Sequence, residues 1–259
     1  MTTFGDGGWE RMLEERCDRL RALHVPGTPL VLPNAWDVPS ARAVVAAGFP
    51  VVATTSGGVA EALGYEDGER APTGEMLAAA ARISRSVNVP VSIDVESGYG
   101  LPPDGLIEAL LHAGAAGCNL EDTDHKSGRL ADLRRHTGRI AAVRQAATAR
   151  GYVLVINARV DVFLSDYGKR PEEHIDEGIA RARAYLDAGA DCVYPIFLHD
   201  ERAIARFVEV ASPVNILAMP QAPSISRLAE LGVARISYGS AIQHKLLQAL
   251  ARILAEIKG

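Results

Sequence analysis

Eight short apolar runs punctuate the chain: Leu30–Ala35, Val51–Ser56, Val91–Glu96, Cys118–Asp122, Val153–Val160, Cys192–Phe197, Val214–Met219 and Arg235–Gly239. They are nearly continuous rather than alternating, which is the pattern of parallel strands buried on both faces. Successive starts lie 21 to 40 residues apart, room for one helix and two loops each time. Helical patterns fill several of the gaps, at Thr73–Val87, Arg139–Arg150, Glu172–Ala188 and Glu201–Val210. Gly48, Gly114, Gly189 and Gly232 each stand between a helical pattern and a run, where glycine ends a helix in the left-handed conformation. An opening amphipathic segment gathers Trp9, Met12, Leu13, Leu20 and Leu23 on one face. The closing one, Ala241–Lys258, gathers Leu246, Leu247, Leu250, Ile253, Leu254 and Ile257. Eight βα units without a break in composition predict an α/β fold, a (β/α)8 TIM-type barrel, as one domain over residues 1–259. Residues 1–29 are expected to be an N-terminal helical segment. The C-terminal helix, 241–259, caps the barrel or packs on, or exchanges with, a neighbouring subunit. A doubly wound open sheet is the competing arrangement, but no GxGxxG turn follows the first run.

Composition narrows the function classes. The chain has 259 residues, 27 basic against 32 acidic, for a net charge of −5. No broad basic face is available for phosphates, and aromatic residues at 5% leave little for stacking bases, so nucleic acid is not an expected partner. The longest charge-free stretch, Ala43–Ala60, contains Gly48, Pro50, Thr54, Thr55 and Ser56 and does not read as a membrane span. The acidic start does not read as a signal peptide. Cys17, Cys118 and Cys192 are far apart with no paired spacing, which predicts a reduced, cytoplasmic protein.

Reactive groups of a barrel sit at the C-terminal ends of its strands. Those ends carry Asn34 and Asp37; Thr55, Ser56, Gly57 and Gly58; Asp94 and Glu96; Glu121 and Asp122; Asn157, Arg159 and Asp161; and Asn215. An isolated Asp there is more often a helix N-cap than a ligand. Asp94 and Glu96 are two apart and point the same way, and Glu121-Asp122 closes the next strand. Carboxylates gathered at one rim repel, which a cation resolves, and oxygen donors without a Cys or His cluster suit a hard ion such as Mg²⁺, with Mn²⁺ as the alternative. Thr55-Ser56-Gly57-Gly58 is either a tight turn or a set of backbone N–H groups for an anion. Arg159 is either the partner of Asp161 or a clamp for an anionic substrate. His112, His199 and His244 read as ordinary surface or packed residues, and Cys118 as core.

These residues resemble the isocitrate lyase/phosphoenolpyruvate mutase superfamily from about Leu30 to Ser240. The likeness rests on Leu32-Pro33-Asn34-Ala35-Trp36-Asp37, Thr55-Ser56-Gly57-Gly58, Leu63-Gly64-Tyr65-Glu66-Asp67-Gly68, Asp94–Gly100, Asn119-Leu120-Glu121-Asp122, Asn157-Ala158-Arg159-Val160-Asp161, Glu230-Leu231-Gly232-Val233 and Ser237-Tyr238-Gly239-Ser240. The resemblance implies a barrel that binds Mg²⁺ at Asp94, with Asp67, Glu96 and Glu121 acting largely through water. It implies a small 2-oxo or 2-hydroxy carboxylate received at Ser56 and Gly57, and an anion clamp at Arg159; Gly58, beside them, is a further substrate-binding candidate. It also implies a homo-oligomer, dimer or tetramer, packed through the last helices. Asn215 joins the substrate-binding candidates as the polar residue of the seventh strand.

The loop after Glu121-Asp122 departs from the lyase pattern. Where lyases carry a Lys-Lys/Arg-Cys-Gly-His segment, this chain has Asp122–Arg129, with Ser127 at the cysteine's place. A thiol titrates near ~8.5 and a serine hydroxyl does not, so Ser127 is a poor proton donor. Ile196 replaces the lyase glutamate after the sixth strand. Cleavage of isocitrate or 2-methylisocitrate is therefore not expected. The catalytic candidates are Arg159, Lys126, His125 and Ser127, although His125, Lys126 and Arg129 also suit a solvated charged loop. The expected activity is a metal-dependent, enolate-forming C–C cleavage or decarboxylation of an oxaloacetate-like 2-oxo acid. P–C bond chemistry on a phosphonate is the alternative, and a barrel that binds 2-oxo acids without turning them over is a third reading. A phosphate-handling barrel of another lineage, suggested by Tyr238-Gly239-Ser240, conflicts with the four strand-end carboxylates.

Overall fold

The structure is a computed structural model that describes residues 6–164 and 174–259. In chain order the elements are α1 (Asp6–Ala22), β1 (Leu30–Leu32), β2 (Asn34–Ala35), α2 (Val38–Ala46), β3 (Val52–Thr54), α3 (Ser56–Leu63), α4 (Thr73–Arg85), β4 (Val91–Asp94) and α5 (Pro103–Ala113). Then come β5 (Gly117–Glu121), β6 (Thr123–Asp124), β7 (Arg129–Leu130), α6 (Leu133–Ala149), β8 (Val155–Val160) and a 3₁₀ turn (Asp161–Phe163). The chain ends with α7 (Ile175–Asp187), β9 (Cys192–Pro195), α8 (Glu201–Ala211), β10 (Asn215–Leu217), α9 (Ile225–Glu230), β11 (Arg235–Ser237) and α10 (Ala241–Lys258).

All eight predicted runs are strands, shortened at their ends. They pair in parallel, in the order β2-β3-β4-β5-β8-β9 and β1-β11-β10. Two junctions join these sheets into a ring. The first run is one strand interrupted at Pro33, which has no N–H for a ladder, so β1 pairs with β11 while β2 pairs with β3. On the far side a single bridge, Val193 to Val214, links β9 to β10. The result is the (β/α)8 barrel expected from the run spacing.

Helix ends follow local chemistry. Asp37 caps α2: its Oδ1 accepts the Ser40 N–H at 2.7 Å and Ser40 Oγ accepts in return, a capping box. Its role is thus structural. The glycines between helices and strands are left-handed, as at Gly114 (φ 73°), where an added Cβ would also meet the Trp9 ring at 2.8 Å. The α7 pattern was expected from Glu172; its first two residues lie outside those described, as do residues 1–5. α6 starts at Leu133, earlier than its apolar pattern, because the Asp132 carboxylate accepts the Arg135 N–H at 3.0 Å and caps it there.

α1 buries Leu13, Cys17 and Leu20 against the N-terminal ends of the strands, and Arg21 Nη2 donates to the Val153 carbonyl at 2.8 Å. That end of the barrel is closed, which leaves chemistry to the other. The three cysteines are free and buried, and burial pushes each thiol up to about 12, so they are inert packing groups at neutral pH. No helix among the described residues is long and apolar enough to cross a membrane.

Candidate active site

β4 ends on Asp94, and neighbouring elements hold its position. The Asp94 N–H donates to Thr54 Oγ1 of β3 at 2.8 Å, and Asp94 Oδ2 accepts the Ser56 N–H at the start of α3 at 3.2 Å. Beyond it the backbone turns sharply. Glu96 (φ 50°) and Tyr99 (φ 55°) are left-handed, and so is Glu69 (φ 58°) across from them. Residues with a Cβ reach that region at a cost of about 1–3 kcal/mol each, so the surroundings must hold them there. Glu69 supplies the hold. Its N–H donates to Glu96 Oε2 at 2.5 Å, while its Oε1 accepts from Ser97 Oγ at 2.5 Å and from the Tyr99 N–H at 2.7 Å.

β5 ends on Glu121, also buried. His125, in the β6–β7 hairpin, places Nε2 at 2.5 Å from Glu121 Oε1 and 3.8 Å from Glu96 Oε2. Arg159 of β8 contacts the other Glu121 oxygen and forms a bidentate pair with Asp161, Nε to Oδ1 at 2.7 Å and Nη2 to Oδ2 at 2.9 Å. Asp122 faces away from this cluster. It accepts the Asp161 N–H at 2.8 Å, the Tyr185 hydroxyl at 2.6 Å and Arg181 Nη1 at 3.1 Å, tying β5, β8 and α7 together.

Protonation follows from this crowding. Burial, then the charges of Asp67, Asp94 and Glu121, lifts Glu96 to about 8. Burial also raises Asp94 and Glu121, with Arg159 opposing in both cases. Burial alone would lower His125, but its hydrogen bond to Glu121 and the charges of Glu121 and Glu96 outweigh that and lift it to about 9. The pairing with Glu121 and Glu96 thus favours the protonated ring of His125.

The donor set fits a hard cation only in one way. Among the described residues no three His, Cys, Asp or Glu side chains converge closely enough to cage an ion. Asp94 and Asp67 face the open cavity, whereas Glu121 is hydrogen-bonded to His125 and Glu96 accepts the Glu69 N–H. That arrangement suits an ion held by one or two carboxylates and completed by water, the habit of Mg²⁺.

A cavity of about 510 Å³ opens at this end of the barrel. Its polar lining includes Asn34, Ser56, Asp67, Asp94, Asn119 and Arg159. Its apolar lining includes Leu164, Ile196, Phe197, Leu217, Met219 and Pro220. The floor is polar. Asn34 Oδ1 accepts the N–H groups of Tyr238 and Gly239 at 2.8 and 2.9 Å, fixing the loop after β11. Beneath it lies Arg235, fully buried, with Nη2 at 3.3 Å from Asn119 Oδ1 and Nε at 3.4 Å from Ser237 Oγ.

Strand-end carboxylates, an arginine and the N-terminus of α3 thus share one cavity. The family model described as phosphoenolpyruvate phosphomutase matches residues 20–258. The chain belongs to the isocitrate lyase/phosphoenolpyruvate mutase superfamily. It is thus a member of an enzyme family. A Mycobacterium tuberculosis protein without an assigned activity is 40% identical over 219 residues, covering 84% of this chain and 80% of its own. The oxaloacetate decarboxylase of Ectopseudomonas mendocina is 30% identical over 240 residues, covering 87% and 79%. A solved structure from Burkholderia cenocepacia, provisionally described as a phosphonomutase, superposes with a TM-score of 0.85 at 41% identity over 95% of this chain and all of that one.

The superfamily frame makes the placement of each candidate informative. Ser56, Asp67, Asp94 and Arg159 share the cavity, and Glu96, Glu121 and His125 form the cluster behind it. Gly57 lies beside Asp67 and Ser240; an added Cβ would meet their oxygens at 3.0 and 3.3 Å. Four candidates stand elsewhere. Gly58 packs its α-carbon against Gln243, whose Nε2 donates to the Gly58 carbonyl at 3.1 Å, so it makes room for α10 rather than for a ligand. Asn215 exchanges hydrogen bonds with Ser237 at 3.0 and 3.2 Å below the floor. Lys126 and Ser127 are exposed in the hairpin turn, with Ser127 Oγ donating to the Asp124 carbonyl at 3.4 Å. Lys126 instead borders a separate cleft with Ser97, Arg135 and Arg139.

Glu69, Tyr194 and Arg235 were not singled out from sequence. Tyr194 lines the cavity on β9, and burial raises its hydroxyl so that it stays an O–H donor. A Tyr or Arg within a buried strand was the available signal for two of them. Glu69 had none, because its role depends on a left-handed turn meeting another.

Proposed function

We propose that the protein is a Mg²⁺-dependent lyase acting on a small 2-oxo or 2-hydroxy carboxylate, breaking a bond beside the carbonyl by C–C cleavage or decarboxylation. The observation that carries this reading is the shared cavity of Asp94, Asp67, Ser56 and Arg159. Asp94 would hold the ion, with Asp67, Glu96 and Glu121 reached through water. When bound, such an ion supplies Lewis-acid stabilisation of the oxygen that gains charge as the bond breaks.

The chain's own groups do the rest. Arg159, pinned by Asp161 and Glu121, receives the substrate carboxylate without having to be ordered on binding. The first-turn N–H groups of α3 face the same anion from the positive end of the helix. Tyr194 presents an O–H to a developing oxyanion. His125 holds a proton against Glu121 and Glu96 and keeps that cluster from repelling the anion. Ser127 takes no part in proton transfer in this arrangement.

The similarity to a family of phosphomutases supports a second reading, P–C bond chemistry on a phosphonate. Lys126, the loop cation that would serve it, borders a different cleft. We further propose a homo-oligomer packed through α10, whose Leu246, Leu250, Ile253, Leu254 and Ile257 are all exposed. A cytoplasmic setting is supported by the three free buried thiols. The deciding experiment is calorimetric binding of oxalate, an enolate mimic, with and without Mg²⁺, followed by a turnover panel of 2-oxo acids and phosphonopyruvate. Mg²⁺-dependent oxalate binding with C–C product release supports the lyase. Binding without turnover of any substrate leaves a non-catalytic barrel, and P–C product alone leaves the phosphonate reading.

A further inference from the structure

We infer that Asn119 is a substrate-binding residue: its side-chain N–H donates to an oxygen of the bound carboxylate, and the buried Arg235 is the positioning residue that aims it. The inference rests on the proposed reading of this cavity as a carboxylate site and adds a contact on its floor. Asn119 lies in β5, the register partner of Asp94 on one side and of Asn157 on the other. Partners in a parallel ladder send their side chains to the same face, and Asn119 lines the cavity together with Asp94 and Arg159.

Which end of the amide meets the cavity is decided from below. Asn119 Oδ1 accepts from Asn157 Nδ2 at 2.8 Å and from Arg235 Nη2 at 3.3 Å. A guanidinium only donates, so the amide atom that faces it has to be the oxygen. The nitrogen is left on the other branch. Nδ2 has no hydrogen-bond partner among the described residues, and it is not sealed in the interior as the unpaired Asn157 Oδ1 and Arg235 Nη1 are. An unused donor therefore stands open to the cavity on a side chain that is otherwise buried.

Packing alone does not account for Arg235. Its side-chain hydrogen bonds go to two neutral groups, Asn119 Oδ1 and Ser237 Oγ, and Nη1 is buried without a partner. An apolar side chain of similar volume would fill the place at lower cost. What the arginine supplies is charge. A charged donor on Oδ1 polarises the amide and makes Nδ2–H the stronger donor. The same contact holds the amide against rotation, so the donor does not have to be ordered on binding. A fixed positive charge beneath the floor also favours an anion above it. The ligand must then offer an acceptor oxygen at this point. An analogue without one would leave the Asn119 N–H desolvated and unpaired, and the site would reject it.

The test is NMR of the full chain, isotope-labelled in its asparagine side chains and titrated with oxalate in the presence of Mg²⁺. The Asn119 amide signals are those missing from the spectrum of Asn119→Asp. They should move downfield as oxalate saturates the unaltered protein. By calorimetry, Asn119→Asp should bind oxalate about tenfold to a hundredfold more weakly, the worth of one hydrogen bond to a charged group. Its Oδ1 still accepts from Arg235 and Asn157, so its melting temperature should not fall. Asn119→Leu removes the donor without adding charge and should lose oxalate affinity to a similar degree, with Mn²⁺ affinity unchanged by electron paramagnetic resonance. Arg235→Met should weaken oxalate binding about threefold to tenfold, and Arg235→Lys, still able to donate to Oδ1, should recover part of that loss. Unmoved Asn119 signals with oxalate bound, full affinity in Asn119→Leu, or an equal loss of Mn²⁺ affinity overturns the Asn119 contact while oxalate binding keeps the lyase reading. Full affinity in Arg235→Met rejects Arg235 as the positioning residue. Failure of the unaltered protein to bind oxalate overturns the lyase reading and this inference with it.

Discussion

Asp94 lies where three elements meet: its backbone is held by Thr54 of β3, its carboxylate by the first N–H of α3, and its strand by β5. It is half-exposed to the cavity, so replacing it removes charge without opening the core. Asp94→Ala is expected to abolish Mg²⁺-dependent oxalate binding, a loss of at least about a hundredfold, while circular dichroism and the melting temperature show a folded protein; unchanged affinity would remove the metal assignment. Ser127 gives the opposite expectation. Its hydroxyl is exposed and donates to the Asp124 carbonyl, and Ser127 is not among the residues that line the cavity with Asp94. Ser127→Cys should therefore leave turnover unchanged in a steady-state assay, and a clear gain would show that the hairpin turn reaches the substrate during the cycle. Strand-end position was enough to single out Asp94, Glu96, Glu121 and Arg159. It failed for Asn215, because residues at strand ends face either the cavity or the interior, and only side-chain geometry distinguishes them.

At the scale of elements, run spacing and glycine punctuation carried most of the fold. Eight continuous apolar runs are eight parallel strands, and the glycines before them are left-handed. The Gly114 turn shows why: besides its φ of 73°, a methyl group would strike Trp9 of α1 and Ser84 of α4. Gly114→Ala should cost more than ~1 kcal/mol in urea denaturation, since backbone strain and the clash act together. The β6–β7 hairpin was not legible. It is four paired residues with no apolar pattern, and it matters because it delivers His125 to Glu121. α10 was read as a helix with an apolar face, and that face lies open along Leu246, Leu250, Leu254 and Ile257. Leu250→Lys with Leu254→Lys should turn an oligomer into a monomer by sedimentation velocity; an unchanged mass would place the interface elsewhere.

At the scale of the molecule, two buried histidines each weaken the fold in acid. Burial is the main cause that lowers both His24 and His136 from 6.5 to about 4. Both are neutral in the folded and unfolded chains above pH 6.5. As pH falls from 6.5 towards 4 the unfolded chain takes up protons at these two positions that the folded one cannot, so each withdraws up to roughly 3 kcal/mol of stability through that window, while the raised carboxyls of Glu96 and Glu121 act in the opposite sense. In thermal melts between pH 7 and 4.5, His136→Leu should gain stability relative to the unaltered protein as the pH falls; identical pH profiles would remove His136 as a cause. The ring itself is uneven. β5 and β8 pair over five positions beneath Glu121 and Arg159, whereas β9 and β10 meet at the Val193–Val214 bridge alone. β8 and β9 pair over four positions more, so the strands of Glu121 and Arg159 belong to one continuous ladder that ends at the seam between β9 and β10. A shift at that seam would move the cavity lining at Leu217 while Glu121 and Arg159 kept their register.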